Sequence, residues 1–314
     1  MSALPVTLAD KLPQFDSAKT ISPLDGEEQS LLYWAPDGAS ESATPLFVFL
    51  HSWSSDYLQD NTKWFVECER RKWIWVHPDF RGVNHSPKAC GSEFARQDIL
   101  DAIRFARDTW KVDDERIYLA GVSGGGHMSL LMAGHHPEQF SAVSSWVGPN
   151  DLADWHRFHV KDGKPQKYAQ MIEASLGGPP GASQAIDDDY RNRSPVFQLS
   201  RVADLPVSIW AGVQDGHTGS VPISHSLRAF NTIARAHGTS QITQQEIEAL
   251  SVRMRLPNPT ESDSAEDLTL GRKIQLRRTS GRSVVTIFEG GHESIPEAAF
   301  AWLEQQRRRV APNP

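Results

Sequence analysis

The sequence predicts an α/β fold, a mostly parallel sheet covered by helices on both faces. Short apolar runs alternate along the chain with stretches of helical periodicity. The runs are nearly continuous, without the apolar–polar alternation of a sheet that has one wet face, as strands buried on both sides require. The 314 residues include ten Trp and thirteen Phe, enough apolar surface for one large core and too much for a disordered chain.

Taken in order, residues 30–33 open the sheet as an antiparallel edge. The strands expected after them are 46–50 (LFVFL), 73–76 (WIWV), 117–120 (IYLA), 142–147 (AVSSWV), 207–211 (VSIWA) and 284–288 (VVTIF). Helical patterns fall at 94–110, 128–134 and 223–237. Two segments interrupt the rhythm. Residues 150–196 are far longer than a plain crossover and are expected to form a small cap. Residues 238–283 form a second insertion, in which 257–267 (PNPTESDSAED) is polar and expected to be a mobile loop. Residues 272–278 are a charged strand, expected to pair as a hairpin with 284–288 through Thr279-Ser280-Gly281. No internal repeat occurs, so residues 1–314 are expected to form one domain with two insertions.

The net charge is −7, which provides no basic field for a nucleic-acid partner. The one basic run, Arg307-Arg308-Arg309, is expected to close a terminal helix and complement its dipole. The N-terminal fifteen residues show neither a basic n-region nor an apolar h-region, and no apolar run is long enough to span a bilayer. A cytoplasmic protein without a membrane partner is the expectation; oligomeric state is left open. Cys68 and Cys90 are too few for a disulfide framework, and whether they pair is also open.

The strongest chemical signal is Gly121-Val122-Ser123-Gly124-Gly125, which fits G-x-S-x-G. Chance alone gives roughly 0.1 such matches in a chain of this length. Its context adds weight, because it follows a strand and precedes a helix rich in small residues. A sharp strand-to-helix turn forces the serine into a strained conformation and lifts its hydroxyl above the sheet, and the helix N-terminus aims free N–H groups at the reacting centre. A serine needs a base to take its proton, and that base needs a carboxylate to orient it. In this architecture the order is Ser, then Asp or Glu, then His. Asp215 follows the strand 207–211, and His292 follows the strand 284–288 on Glu289-Gly290-Gly291.

These pieces resemble the α/β-hydrolases, and more narrowly the catalytic domain of the prolyl-oligopeptidase and acetyl-esterase group. The matching segments are GVSGGG (121–126), HPDFRG (77–82), YRNRSP (190–195), LPVSIWAGVQDG with the following VP (205–222) and FEGGHES (288–294), within roughly residues 45–305. The resemblance implies an eight-stranded type of sheet, with Ser123 as nucleophile, His292 as base and Asp215 as its orienter, acting through an acyl-enzyme. The oxyanion hole is then expected from the backbone N–H groups of Gly124 and Trp53. Relatives usually carry His-Gly-x where this chain has His51-Ser52-Trp53, so Ser52 is a departure. His51 is expected to brace that loop, and Arg81 to tie loops together. Trp146, Trp155 and His156, flanking the cap, and His217, beside Asp215, are the candidate substrate contacts, with packing or solvation as the competing role.

Metal chemistry is not expected. His135-His136 ends a helix, His156-x-x-His159 lacks a third ligand, and Pro296 breaks any H-E-x-x-H at His292. Neither a P-loop nor a dinucleotide fingerprint occurs, so no cofactor is implied. Three functions compete: an esterase acting on small acyl or carbohydrate-linked esters, a peptidase of the prolyl-oligopeptidase kind, and a non-catalytic binding relative. The complete triad disfavours the last. The first is preferred, because only about 45 residues precede the strand at 46–50, too few for the gating domain such peptidases carry, and the cap shows no pair of glutamates to hold a peptide's amino terminus.

Overall fold

A computed structural model describes residues 14–202 and 204–308; most of the N-terminal stretch read above for a leader, and Arg309, lie outside them. The strands in chain order are β1 (Asp16–Ile21), β2 (Glu28–Trp34), β3 (Thr44–Leu50), β4 (Ile74–Pro78), β5 (Val112–Val122), β6 (Ala142–Trp146), the short pair β7 (Val160–Lys161) and β8 (Lys164–Pro165), β9 (Val207–Gly212), β10 (Ile274–Ser280) and β11 (Ser283–Phe288). All but β7 and β8 form one sheet in the order β1-β2-β4-β3-β5-β6-β9-β11-β10. From β4 to β11 neighbours run parallel, while β2 is antiparallel to both β1 and β4. The sheet has nine strands rather than eight. The additional one is β1, paired antiparallel on β2, while β10 returns antiparallel on β11 as the expected hairpin, with Arg278 opposite Val285 and Ser280 opposite Ser283.

The helices are α1 (Thr62–Arg70), α2 (Glu93–Thr109), α3 (Gly124–His135), α4 (Leu152–Phe158), α5 (Lys167–Leu176), α6 (Gln184–Asn192), α7 (Ser224–Ala236), α8 (Gln244–Arg253) and α9 (Pro296–Leu303). Alternation along β2 shows that both faces are covered. Trp34 meets Phe65 of α1 at 5.5 Å between ring centroids, and its neighbour Tyr33 meets Phe105 of α2 at 5.4 Å. On the α1 face, Phe47 of β3 packs against Phe300 of α9 at 4.5 Å. Ser92 starts α2 by accepting the Ala95 N–H, and Thr243 and Glu246 form a reciprocal capping box on α8. No described helix is long and apolar enough to cross a membrane. Cys68 and Cys90 are both buried and unpaired.

Three expectations are corrected. Trp146 stacks on Trp210 with centroids 4.8 Å apart and planes 3° from parallel, and its indole N–H donates to Ser144 Oγ. It is fully buried in the sheet core and offers no surface to a substrate. The polar segment 257–267 is docked rather than loose. Asp263 is buried, accepts the Arg277 N–H at 2.8 Å and pairs with Arg278, while Asp267 pairs with Arg277 at 2.8 Å. The acidic loop neutralises the charged strand β10, so the two stretches that look solvent-facing in isolation satisfy each other. Finally, α9 ends at Leu303, before the basic run. Arg307 faces Glu115 at 3.7 Å and the Arg308 N–H donates to Glu115 O, so these residues tie the chain end to β5 instead of capping a helix.

The register sets up the site. Val122, Trp146 and Trp210 lie side by side across β5, β6 and β9, and Gly212 lies beside Phe288 of β11. The loops carrying Ser123, Asp215 and His292 therefore leave one edge of the sheet, at the carboxyl ends of its parallel strands.

Candidate active site

Ser123 joins β5 to α3 with φ 58° and ψ −114°, a region that costs a non-glycine residue on the order of 1–3 kcal/mol. The strain is held by two backbone hydrogen bonds, from the Ser123 N–H to Trp146 O at 2.8 Å and from the His127 N–H to Ser123 O at 2.9 Å. The turn is closed so tightly that a Cβ on Gly121 would lie 2.4 Å from the Gly125 carbonyl carbon. Ser123 itself is only half-buried. Ser123 is the N-cap of α3, so the first amides, which have no partner within the helix, and the positive end of its dipole lie beside it.

Asp215 and His292 form a direct pair. The buried Asp215 carboxylate accepts the N–H groups of Gly216 (2.9 Å) and Val221 (3.1 Å) on Oδ1, and Oδ2 lies 2.7 Å from His292 Nδ1. A carboxylate only accepts, so Nδ1 carries the proton and Nε2 presents its lone pair, the state a general base requires. Val122 and Glu293, the chain neighbours of Ser123 and His292, line one cavity of about 340 Å³ together with Ser52, Asn61 and Trp64. The end of β5 and the loop after β11 thus share a wall.

The two expected oxyanion donors are in contact. A Cβ on Gly124 would lie 2.3 Å from Trp53 N, so only glycine allows the loop after β3 to lie against the start of α3. Ser52, in the position where glycine was expected, spans the same junction, with its N–H donating to Gln59 Oε1 at 2.8 Å and its hydroxyl to Val122 O at 3.3 Å. His51 braces the loop, since its Nε2 donates to Asp79 O at 2.6 Å and its ring stacks on Phe80 at 3.9 Å. The Arg81 side chain is buried and ties together Asp25 (2.7 Å), Glu27 (2.7 Å) and Asp98 (2.6 Å). Replacing Gly124 by Ala should displace the Trp53 amide and lower kcat about 10²–10³-fold while the circular dichroism spectrum stays native; a kcat equal to that of the unaltered protein would count against this hole.

The other expected contacts are placed elsewhere. Trp155 is fully buried and donates its indole N–H to Ser220 O at 2.8 Å. His156 is buried within the cap and holds Glu173 at 2.7 Å through Nε2. Trp155 joins an apolar cluster of cap residues Leu152, Ile172 and Tyr190 with Trp53 and Val221 from the loops beneath, and the His156 ring lies edge-on to Tyr190 at 6.4 Å. His217 is exposed and holds Ser251 O of α8 at 2.7 Å, which fastens the second insertion beside the acid loop. His135 bonds Asn192 O, and among the described residues no group of three His, Cys, Asp or Glu is placed to hold a metal. What the motif search missed is the Ser220–Val221 peptide that braces Asp215; its signal was the Val-Pro following the acid loop.

Buried imidazoles around the site carry a pH dependence. Desolvation lowers the pKa of His77 to about 3 and those of His127 and His225 to about 4, so they stay neutral in the folded protein. In the unfolded chain they take up protons near pH 6.5. Below that value the unfolded state binds more protons, so stability present at neutral pH is lost as pH falls from about 6.5 towards 4. The urea midpoint should be lower at pH 5 than at pH 7, and His127→Gln should flatten the difference; equal midpoints at both pH values would contradict the burial argument.

Comparison with known proteins places this geometry. A model of the prolyl oligopeptidase family matches residues 92–248, half of the chain. A 142-residue stretch is 26% identical to the uncharacterized peptidase YtmA of Bacillus subtilis, covering 45% of this chain and 50% of that one. A 50-residue stretch is 36% identical to an acetylxylan esterase of Coprinopsis cinerea, covering 16% of this chain and 13% of that one. Among solved structures, the acylaminoacyl peptidase of Pyrococcus horikoshii superposes with a TM-score of 0.62 at 16% identity, covering 95% of this chain and 41% of that one. The matches span half or less of each relative's own length.

Proposed function

The chain belongs to the prolyl oligopeptidase family of serine hydrolases, and from that premise we propose that it cleaves carboxylic esters, of small acyl groups or of carbohydrates, as one catalytic domain with residues 150–196 as its cap. The observation that carries the reading is the Asp215–His292 pair at 2.7 Å, at the same sheet edge as a strained Ser123 and the adjoining Gly124 and Trp53 amides. Ser123 Oγ attacks the ester carbonyl as His292 Nε2 takes its proton. The carbonyl oxygen gains the negative charge and receives the two N–H groups. His292 then gives the proton to the departing alcohol, leaving an acyl-serine. Water, deprotonated by the same nitrogen, attacks that acyl group; the acyl–Oγ bond breaks, His292 returns the proton to Ser123 Oγ, and the acid leaves. No cofactor is needed in these steps. Unpaired Cys68 and Cys90 fit a reducing compartment.

The ester reading is favoured over the peptide reading by the cap. A peptide's ammonium needs uncommitted carboxylates; in the cap Glu173 is taken by His156, Asp189 by Arg193 and Asp154 by Arg228, while Asp162 and Asp188 are exposed. The 36% identity to an acetylxylan esterase, over its short span, points the same way. The peptidase reading is supported by the peptidase names among the relatives and fold neighbours. Turnover of p-nitrophenyl acetate against X-Pro arylamides separates the two: faster ester cleavage is expected, and faster arylamide cleavage would establish the peptidase instead.

A further inference from the structure

From the cap side, the acid loop is held at the Ser220–Val221 peptide group. Ser220 O accepts the Trp155 indole N–H at 2.8 Å and lies 3.0 Å from His159 Nε2. A carbonyl oxygen only accepts, so His159 donates there too. The N–H of that same peptide, Val221 N–H, donates to Asp215 Oδ1 at 3.1 Å. The peptide unit is rigid and planar, so fixing its oxygen fixes the direction of its hydrogen. Accepting two hydrogen bonds at oxygen also polarises the unit and strengthens the bond its N–H gives. On its other side the Trp155 ring lies edge-on to Trp53 with centroids 4.7 Å apart, and Trp53 carries the proposed oxyanion amide. Both rings are buried. One cap side chain therefore touches the supports of two separate parts of the machinery.

Resting on the hydrolase reading above, we propose that Trp155, seconded by His159, is a positioning residue: through the Ser220–Val221 peptide it aims Asp215 at His292, and through Trp53 it fixes the oxyanion loop. The cap is then part of the catalytic apparatus rather than only a cover. His156 and His159, one turn apart, serve different partners, the first Glu173 inside the cap and the second the acid loop.

The test uses Trp155→Phe, which keeps a ring against Trp53 and deletes the N–H, alongside His159→Ala and His159→Gln, the last retaining an N–H donor. Three readouts are taken: steady-state kinetics on p-nitrophenyl acetate, the rate of Ser123 modification by a fluorophosphonate, and the downfield proton resonance of His292 Nδ1–H. Trp155→Phe should lower kcat about 10- to 100-fold, the scale of a small misplacement, with KM little changed. Ser123 modification should slow in parallel, and the downfield resonance should shift or broaden. His159→Ala should show a smaller loss that His159→Gln restores. Unchanged kcat and resonance in Trp155→Phe, a loss confined to KM, a loss equal to the fraction of unfolded protein, or a His159→Gln that behaves as His159→Ala would overturn the positioning role. A wild-type protein left unmodified at Ser123 would instead overturn the hydrolase reading itself.

Discussion

Ser123→Ala is expected to lower kcat for the proposed ester hydrolysis by on the order of 10⁶-fold, the scale seen when a nucleophile acting as one unit with its base is removed. The loss falls on the chemical step, because Ser123 Oγ is the atom proposed to carry the acyl group. The backbone supports of the elbow, Trp146 O and the His127 N–H, do not involve the hydroxyl. The melting temperature should therefore stay close to that of the unaltered protein, and ester binding, read as KM or as inhibition by a product acid, should persist. Single-turnover kinetics check this: a variant that still gives a burst of alcohol would show that another residue is the nucleophile.

Asp215→Asn is nearly isosteric and should still cost about 10⁴-fold in kcat. Its remaining oxygen can keep the Gly216 and Val221 N–H bonds at the Oδ1 position. Its amide nitrogen then faces His292 Nδ1, where the carboxylate oxygen lay 2.7 Å away. An amide N–H donates, so Nδ1 must accept, and the ring proton moves to Nε2. In that tautomer His292 has no lone pair to offer the serine. The loss should appear in the rate of acylation with little change in KM; activity within tenfold of the unaltered protein would show that the pair does not set the tautomer.

The places of the proposed triad were legible because each member follows a strand, and strands here announce themselves as apolar runs. Once the order of strands is settled, the register delivers Ser123, Asp215 and His292 to one edge without further information. The glycines were legible for the same reason: a Cβ at Gly124 has nowhere to go. What the sequence concealed depends on contacts between distant segments. Trp146 and Trp155 look alike as aromatic residues beside a cap, yet one stacks on Trp210 inside the sheet and the other bonds Ser220. Neither partner can be read from local periodicity. The acidic stretch 257–267 reads as solvent-loving until β10 lays Arg277 and Arg278 against it. The strand missed is β1 (Asp16–Ile21), a mostly exposed edge whose polar residues form no apolar run to announce it.

The central claim is that Ser123, His292 and the amides of Trp53 and Gly124 act on one acyl carbon. It is tested most directly by a crystal structure of the protein after reaction with a small fluorophosphonate. The account predicts phosphorus bonded to Ser123 Oγ, with one phosphoryl oxygen within hydrogen-bonding distance of both the Trp53 and Gly124 N–H groups and His292 Nε2 facing the serine oxygen. An adduct on any other residue, or a phosphoryl oxygen directed away from those two amides, would contradict it.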